Sequence, residues 1–81
     1  MDGLNVLVTI RNKEDAEIEK VVDALLKIDG VEQAYELTGG LDIMLRLKSD
    51  SASKGREMME KIKSTDGVEC TNSYLIIGER K

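Results

Sequence analysis

A two-layer α+β fold of the ferredoxin-like βαββαβ type is predicted by three features of the sequence. The spacing of apolar residues switches between a period of two and a period near 3.6 in the order strand, helix, strand, strand, helix, strand. The tetrapeptide Asp-Gly-Val-Glu occurs at 29–32 and again at 66–69, each time between a helical and an extended stretch, so the chain reads as two similar βαβ units. A chain of 81 residues has surface for one core and no room for a second, so residues 1–81 are expected to form one domain. Right-handed crossovers, interleaved so that sequence neighbours pair antiparallel, then give a four-stranded antiparallel sheet with two helices on one face.

The first strand runs from about Leu4 to Arg11, where Val6, Val8 and Ile10 alternate with Asn5, Thr9 and Arg11. An amphipathic helix is expected from about Lys13 to Ile28. Its apolar residues Ile18, Val21, Val22 and Leu25 fall at i, i+3, i+4 and i+7, and acidic residues enrich its start. Asp29-Gly30 stops it, since glycine takes the left-handed conformation that ends a helix. Val31 to Thr38 reads as the second strand. Gly39-Gly40 is a turn signal, and from Leu41 the residues Ile43, Leu45 and Leu47 alternate with Met44, Arg46 and Lys48, so 31–48 is predicted to be a hairpin. Asp50 or Ser51 can cap a second helix over about Ala52 to Lys63, with Gly55, Met58, Met59 and Ile62 on its buried stripe. Thr65-Asp66-Gly67 repeats the stop, and Val68 to Ile77 is the last strand.

Composition narrows the functional classes. A content of 41% hydrophobic and 35% charged residues belongs to an ordinary folded domain rather than a disordered one. With two Tyr and neither Phe nor Trp, the core must be aliphatic, and small cores of that kind are commonly completed by association with other chains. A net charge of −4 disfavours direct nucleic-acid binding, which depends on cations neutralising phosphates. There is no His and one Cys, Cys70, so a Cys/His metal site and a His-based catalytic centre are not expected; Cys70 reads as a small hydrophobe. No nucleophile–base pair is evident, and no cofactor is implied. Neither a signal peptide nor a membrane span is visible, so a cytoplasmic location is expected.

The sheet face without helices is the first functional candidate. Leu7, Met44, Leu75 and Ile77 interrupt its polar pattern, which suggests burial against another subunit. The second is Thr38-Gly39-Gly40-Leu41-Asp42. Glycines expose backbone N–H and C=O groups, the N–H groups can receive a carboxylate, and Asp42 or the turn carbonyls can hold an ammonium, so the stretch suits a zwitterion. A plain hairpin turn with a solvated Asp42 would read the same. The third is Thr71-Asn72-Ser73, three short polar side chains that can hydrogen-bond a ligand or simply face water. Tyr35 and Tyr74 read as packing residues with wet hydroxyls.

Together, these stretches resemble a known family. Tyr35-Glu36-Leu37-Thr38-Gly39-Gly40-Leu41-Asp42-Ile43-Met44-Leu45 is similar to the TG..D strand–turn–strand motif of the Lrp/AsnC regulators. Asp66-Gly67-Val68 followed by Thr71-Asn72-Ser73-Tyr74-Leu75-Ile76-Ile77 resembles their GV…T.T..V final strand, with Ser73 in place of the second Thr. The likeness runs from Leu4 to Lys81. It implies an effector-binding (RAM) domain that dimerises through its sheets, assembles to tetramers or octamers, and binds a free amino acid effector between dimers. By position, Thr38, Gly39, Gly40, Leu41 and Asp42 would form the ligand loop. Thr71, Asn72 and Ser73, with Tyr35 and Tyr74, would contribute from the same or a neighbouring dimer. Full-length members begin with a helix-turn-helix region, whereas here a strand is expected within five residues of the start. The resemblance is therefore to stand-alone members that sense amino acids or join full-length Lrp/AsnC regulators in mixed assemblies. Two other expectations remain open: a small dimeric enzyme resembling antibiotic-biosynthesis monooxygenases or muconolactone isomerases, whose sites are aromatic- or His-lined, and a ligand-free oligomerisation module.

Overall fold

The computed structural model describes residues 3–40 and 42–80. In chain order these form β1 (Leu4–Asn12), α1 (Ile18–Leu26), β2 (Val31–Glu36), β3 (Ile43–Ser49), α2 (Ala52–Lys63) and β4 (Val68–Leu75). The strands make one sheet in the order β2-β3-β1-β4, every neighbouring pair antiparallel. Each helix carries the chain from a central strand, past the other central strand, to an edge. This is the expected ferredoxin-like arrangement, and its shortest dimension of 17 Å accommodates one sheet and one layer of helices.

Alternation on the two central strands generates the core. Val8 and Ile10 of β1 and Ile43, Leu45 and Leu47 of β3 are almost fully buried. Val21 and Leu25 of α1 and Met58 and Ile62 of α2 close over them, with Val68 of β4 at one end. Burying each such side chain contributes roughly 1.5–3 kcal/mol, which is why the helices sit on this face and leave the other bare.

The Asp-Gly repeat has a packing role beyond stopping the helices. Gly30, at the end of α1, has φ +99°, and a Cβ there would run into Met58 Sδ on α2. Gly67, at the end of α2, has φ +95°, and a Cβ there would lie 2.5 Å from Val21 Cγ2 and 3.0 Å from Ala16 Cβ. Each half of the chain thus seats its glycine against the helical segment of the other.

Several boundaries differ from the sequence expectation. Helix α1 starts at Ile18 rather than near Lys13, because local hydrogen bonds hold 13–16 in a turn: Ala16 N donates to Lys13 O (3.0 Å) and Asn12 Nδ2 to Ala16 O (2.9 Å). Strand β2 ends at Glu36 instead of Thr38 and carries an irregularity between Val31 and Gln33. Strand β3 begins at Ile43, and Leu41, expected to open it, lies outside the described residues. Strand β4 ends at Leu75, although Ile76 N still donates to Asn5 O (2.9 Å). Helix α2 has the expected span, with Ser51 as its cap: Ser51 Oγ accepts from Lys54 N at 3.2 Å. At its other end, Ser64 Oγ and Thr65 Oγ1 donate to Glu60 O and Lys61 O, both at 2.8 Å, and Glu60 O also accepts from Ser64 N at 3.0 Å.

Gly67→Ala is expected to lower unfolding free energy by about 2–4 kcal/mol, combining the left-handed backbone penalty with overpacking against the stiff Val21. Gly30→Ala is expected to cost about 1–2 kcal/mol, because the Met58 thioether can swing away. Urea denaturation of the two variants measures the difference, and equal losses would contradict the packing argument.

Candidate functional site: the glycine turn and the bare sheet face

The β2–β3 turn is closed by Leu37 N donating to Asp42 O (2.8 Å). Thr38, Gly39 and Gly40 are exposed, and Gly39 has φ +101° with open space where a side chain would stand. Among the described residues, the N–H groups of Thr38, Gly39 and Gly40 make no backbone hydrogen bond. The turn is nonetheless held in place. Asp42 N donates to Ile10 O (3.1 Å), Asn12 N donates to Asp42 Oδ2 (2.7 Å), and Arg11 Nη2 donates to Gly40 O (3.0 Å). Asp42 is therefore not simply a solvated residue at a strand start. One of its oxygens prolongs the β1–β3 ladder in place of a backbone carbonyl.

Strand register distributes the other candidates over the sheet. Tyr35, Met44, Thr9 and Asn72 form a row across all four strands on the bare face. The next row contains Gln33, Arg46, Leu7 and Tyr74. Thr71 and Ser73 pair with Ile10 and Val8, which places them on the helix-bearing side. Tyr35 thus stands close to the glycine turn, while Asn72 lies three strand spacings away, about 14 Å. The turn and the Thr71–Ser73 stretch are not brought together within one chain, because β1 lies between β3 and β4.

Several side chains differ from the sequence reading for one reason: β2 and β4 are edges, and the helices cover the centre of the sheet. Tyr35 and Tyr74 are 42% and 55% exposed on the bare face instead of packed, the Tyr35 hydroxyl donating to Gln33 Oε1 (2.6 Å). Cys70 is exposed rather than packed as a hydrophobe. Leu75 pairs with Val6, so it belongs to the helix side rather than the bare face, yet it is 53% exposed. The Thr9 hydroxyl, in the middle of the bare face, is shielded by its neighbours and has no hydrogen-bond partner among the described residues.

Arg11 was not among the residues singled out from sequence. It reads there as a polar residue ending a strand, and only the turn folded back beside it gives it a partner. Two surface depressions, of about 350 Å³ around Asp29, Lys48 and Lys61 and about 320 Å³ around Asp15, Lys20 and Asp66, lie away from the candidate residues. Among the described residues, no group of three or more His, Cys, Asp or Glu side chains is placed to hold a metal ion, and no helix is long and apolar enough to cross a membrane.

The Lrp/AsnC ligand binding domain family matches residues 5–81. The chain belongs to this family. The Lrp/AsnC domain is 27% identical over 74 residues to the HTH-type transcriptional regulator LysM of Sulfurisphaera tokodaii, a match covering 91% of this chain and 53% of that protein. It is 23% identical over 76 residues to a homocitrate synthase of Saccharolobus islandicus, covering 94% of this chain and 16% of the enzyme. The chain therefore spans about half the length of the LysM regulator and a small part of the enzyme. Its fold superposes with a TM-score of 0.87 on transcriptional regulator NMB0573 of Neisseria meningitidis, solved in complex with L-Met. That match has 18% identity and covers 99% of this chain and 53% of that one. The family is one of ligand-binding domains of transcriptional regulators rather than of enzymes.

Asp42→Ala is expected to destabilise the Lrp/AsnC domain by about 1–3 kcal/mol, because it leaves the part-buried Asn12 N–H without an acceptor. Asp42→Asn, which keeps an oxygen, is expected to lose less than half of that. Chemical denaturation of both variants provides the measurement, and an Asp42→Ala protein as stable as wild type would refute the anchoring role.

Proposed function

We propose that this Lrp/AsnC domain is an amino-acid-sensing regulatory module that works as an oligomer. A small amino acid binds at the glycine turn, at a junction between dimers, and its binding alters association of the domain with itself or with a partner regulator. The observation that carries this reading is the turn itself. Exposed glycine N–H groups without backbone partners among the described residues are held against β1 by three hydrogen bonds, in a domain of a ligand-binding family. Unpaired backbone N–H groups in a fixed turn suit a carboxylate. The L-Met complex of the Neisseria regulator, which shares the fold, supports an amino acid as the ligand class.

The distribution of the remaining candidates supports a shared site. Because β1 separates the turn from Thr71, Asn72 and Ser73, one ligand can contact both groups only if a second chain supplies one of them. Leu7, Met44 and the unpartnered Thr9 hydroxyl suit the centre of a face covered by a second copy, where the hydroxyl would find an acceptor. Thr71, Ser73 and the exposed Leu75, on the other side, suit a contact between dimers. A ligand held by two dimers at once stabilises the assembled state by its differential affinity, and this linkage is the mechanism of sensing. The similarity to a short part of homocitrate synthase fits a module that can accompany an enzyme as well as a DNA-binding region. The absence of His from the chain favours regulation over catalysis.

A thermal-unfolding screen against the twenty amino acids at millimolar concentration tests the ligand class. An effector present at ~100 times its dissociation constant should add about 2.7 kcal/mol of stability. No shift with any amino acid would leave a ligand-free oligomerisation module. For the assembly, Met44→Glu should lower the solution mass measured by light scattering, because it places a charge at the centre of the bare face. An unchanged mass would place the subunit contact elsewhere.

A further inference from the structure

The two helices begin in different ways. Ser51 caps α2 with its own side chain, accepting from Lys54 N at 3.2 Å. Glu17, at the corresponding position of α1, makes no side-chain cap bond, and a helix of nine residues is marginal without outside support. That support comes from Asn12, at the end of β1. Its Nδ2 donates to Ala16 O (2.9 Å). The next residue, Lys13, donates from its backbone N–H to Gly67 O (2.7 Å) and accepts at its carbonyl from Ala16 N (3.0 Å). The start of α1 is therefore held by the strand that precedes it.

Asn12 is also where the glycine turn is fastened. Its N–H donates to Asp42 Oδ2 at 2.7 Å, the length of a bond to a charged carboxylate. The β1–β4 register shifts at this point: Arg11 pairs with Cys70 and Asn12 with Val68, so Glu69 has no partner on β1 and side-chain bonds take over from the ladder. One residue thus joins the β2–β3 turn to the β1–α1 connection, and its neighbour Lys13 adds the α2–β4 connection. The Asn12 amide is only half satisfied, because its buried Oδ1 has no hydrogen-bond partner among the described residues. An unmet buried acceptor raises the energy of this arrangement and narrows the gap to one in which 12–16 opens to water. The hold on Ala16 then depends on Asp42 keeping Asn12 in place.

We propose that Asn12 couples the glycine turn to α1: whatever fixes Asp42 orders the first turn of that helix, and whatever releases Asp42 lets residues 13–17 open. The link is a contiguous chain of hydrogen bonds, from Asp42 Oδ2 through Asn12 to Ala16 O, rather than a shared core contact. It carries a change at the turn to another surface. Helix α1 lies on the side of the sheet away from the bare face, and Glu14, Asp15 and Glu17 at its start are exposed. A ligand that tightens the turn therefore orders a surface that a second copy on the bare face leaves free. Only this last step rests on the amino-acid reading above; the link itself is a property of the chain.

Residue-resolved amide hydrogen exchange on the full chain tests the link. The reporters are Ala16, bonded to Lys13 O, and Lys20 and Val21, both bonded to Glu17 O; the reference is Gly55, bonded to Ser51 O at the start of α2. Asp42→Ala is expected to speed exchange at the reporters about 3- to 10-fold relative to Gly55, and Asp42→Asn, which keeps an oxygen, by less. Asn12→Ala retains the backbone donor but lacks Nδ2. It should have the same effect, and adding Asp42→Ala to it should bring little further change. Ser51→Ala should do the reverse, speeding Gly55 and leaving the reporters as they are. If Asp42→Ala speeds Gly55 as much as the reporters, or if the effects of Asp42→Ala and Asn12→Ala multiply, Asn12 carries no coupling. Should the double variant fail to fold, the ratios for Asp42→Ala and Asp42→Asn decide. An amino acid that raises the unfolding temperature should slow exchange at the reporters, and one that binds without doing so overturns the ligand step. If no amino acid binds, the sensing reading fails, and the variants alone decide the link.

Discussion

The ladder between β1 and β3 is the constraint on which the rest of the molecule depends. Its register sets Val8 against Leu45 and Ile10 against Ile43 on one face, and these four residues have no solvent exposure. A slip of one residue would turn that whole set to the other face. The same register fixes where Asp42 arrives relative to Asn12 and where Gly40 arrives relative to Arg11. Core packing and the candidate site are thus set by one pairing: the hydrophobic face selects the register, and the register delivers the turn.

Reciprocal seating of Gly30 on Met58 and of Gly67 on Val21 adds a second level of order. Each half of the repeat is completed by the other, so neither βαβ unit presents a finished surface alone. The arrangement places both helices on one face and leaves the rows through Met44 and Leu7 uncovered. A half-apolar face with a shielded, unpartnered hydroxyl at its centre is costly for an isolated chain and favourable once another layer covers it. Small size and an aliphatic core lead to the same conclusion by a different route.

Asp42 joins the scaffold to the candidate site. Its Oδ2 extends the central ladder, so the carboxylate cannot be removed without disturbing the glycine turn. Arg11 supports the same turn from β1, donating to Gly40 O. A turn tied to the central strands by both side-chain and backbone hydrogen bonds is held in one conformation.

Periodicity and punctuation were enough to read the element order, the buried residues of the central strands and the position of the glycine turn, because alternation at Val6–Ile10 and Ile43–Leu47 and the two Asp-Gly stops act locally. The motifs around Thr38–Asp42 and Thr71–Ser73 also placed the chain with its family. The start of α1 was misread because Asn12 and Ala16 form a local turn that leaves the apolar pattern unchanged. Exposure of Tyr35, Tyr74 and Cys70 depended on which strands became edges, a property of sheet order rather than of any residue's neighbours in sequence. The division of Thr71, Asn72 and Ser73 between two faces, and the meeting of Arg11 with Gly40 across 29 positions, were likewise decided by tertiary structure. Hydrophobic period reports which side of an element is buried, whereas hydrogen bonds between distant segments exist only once the strands have paired.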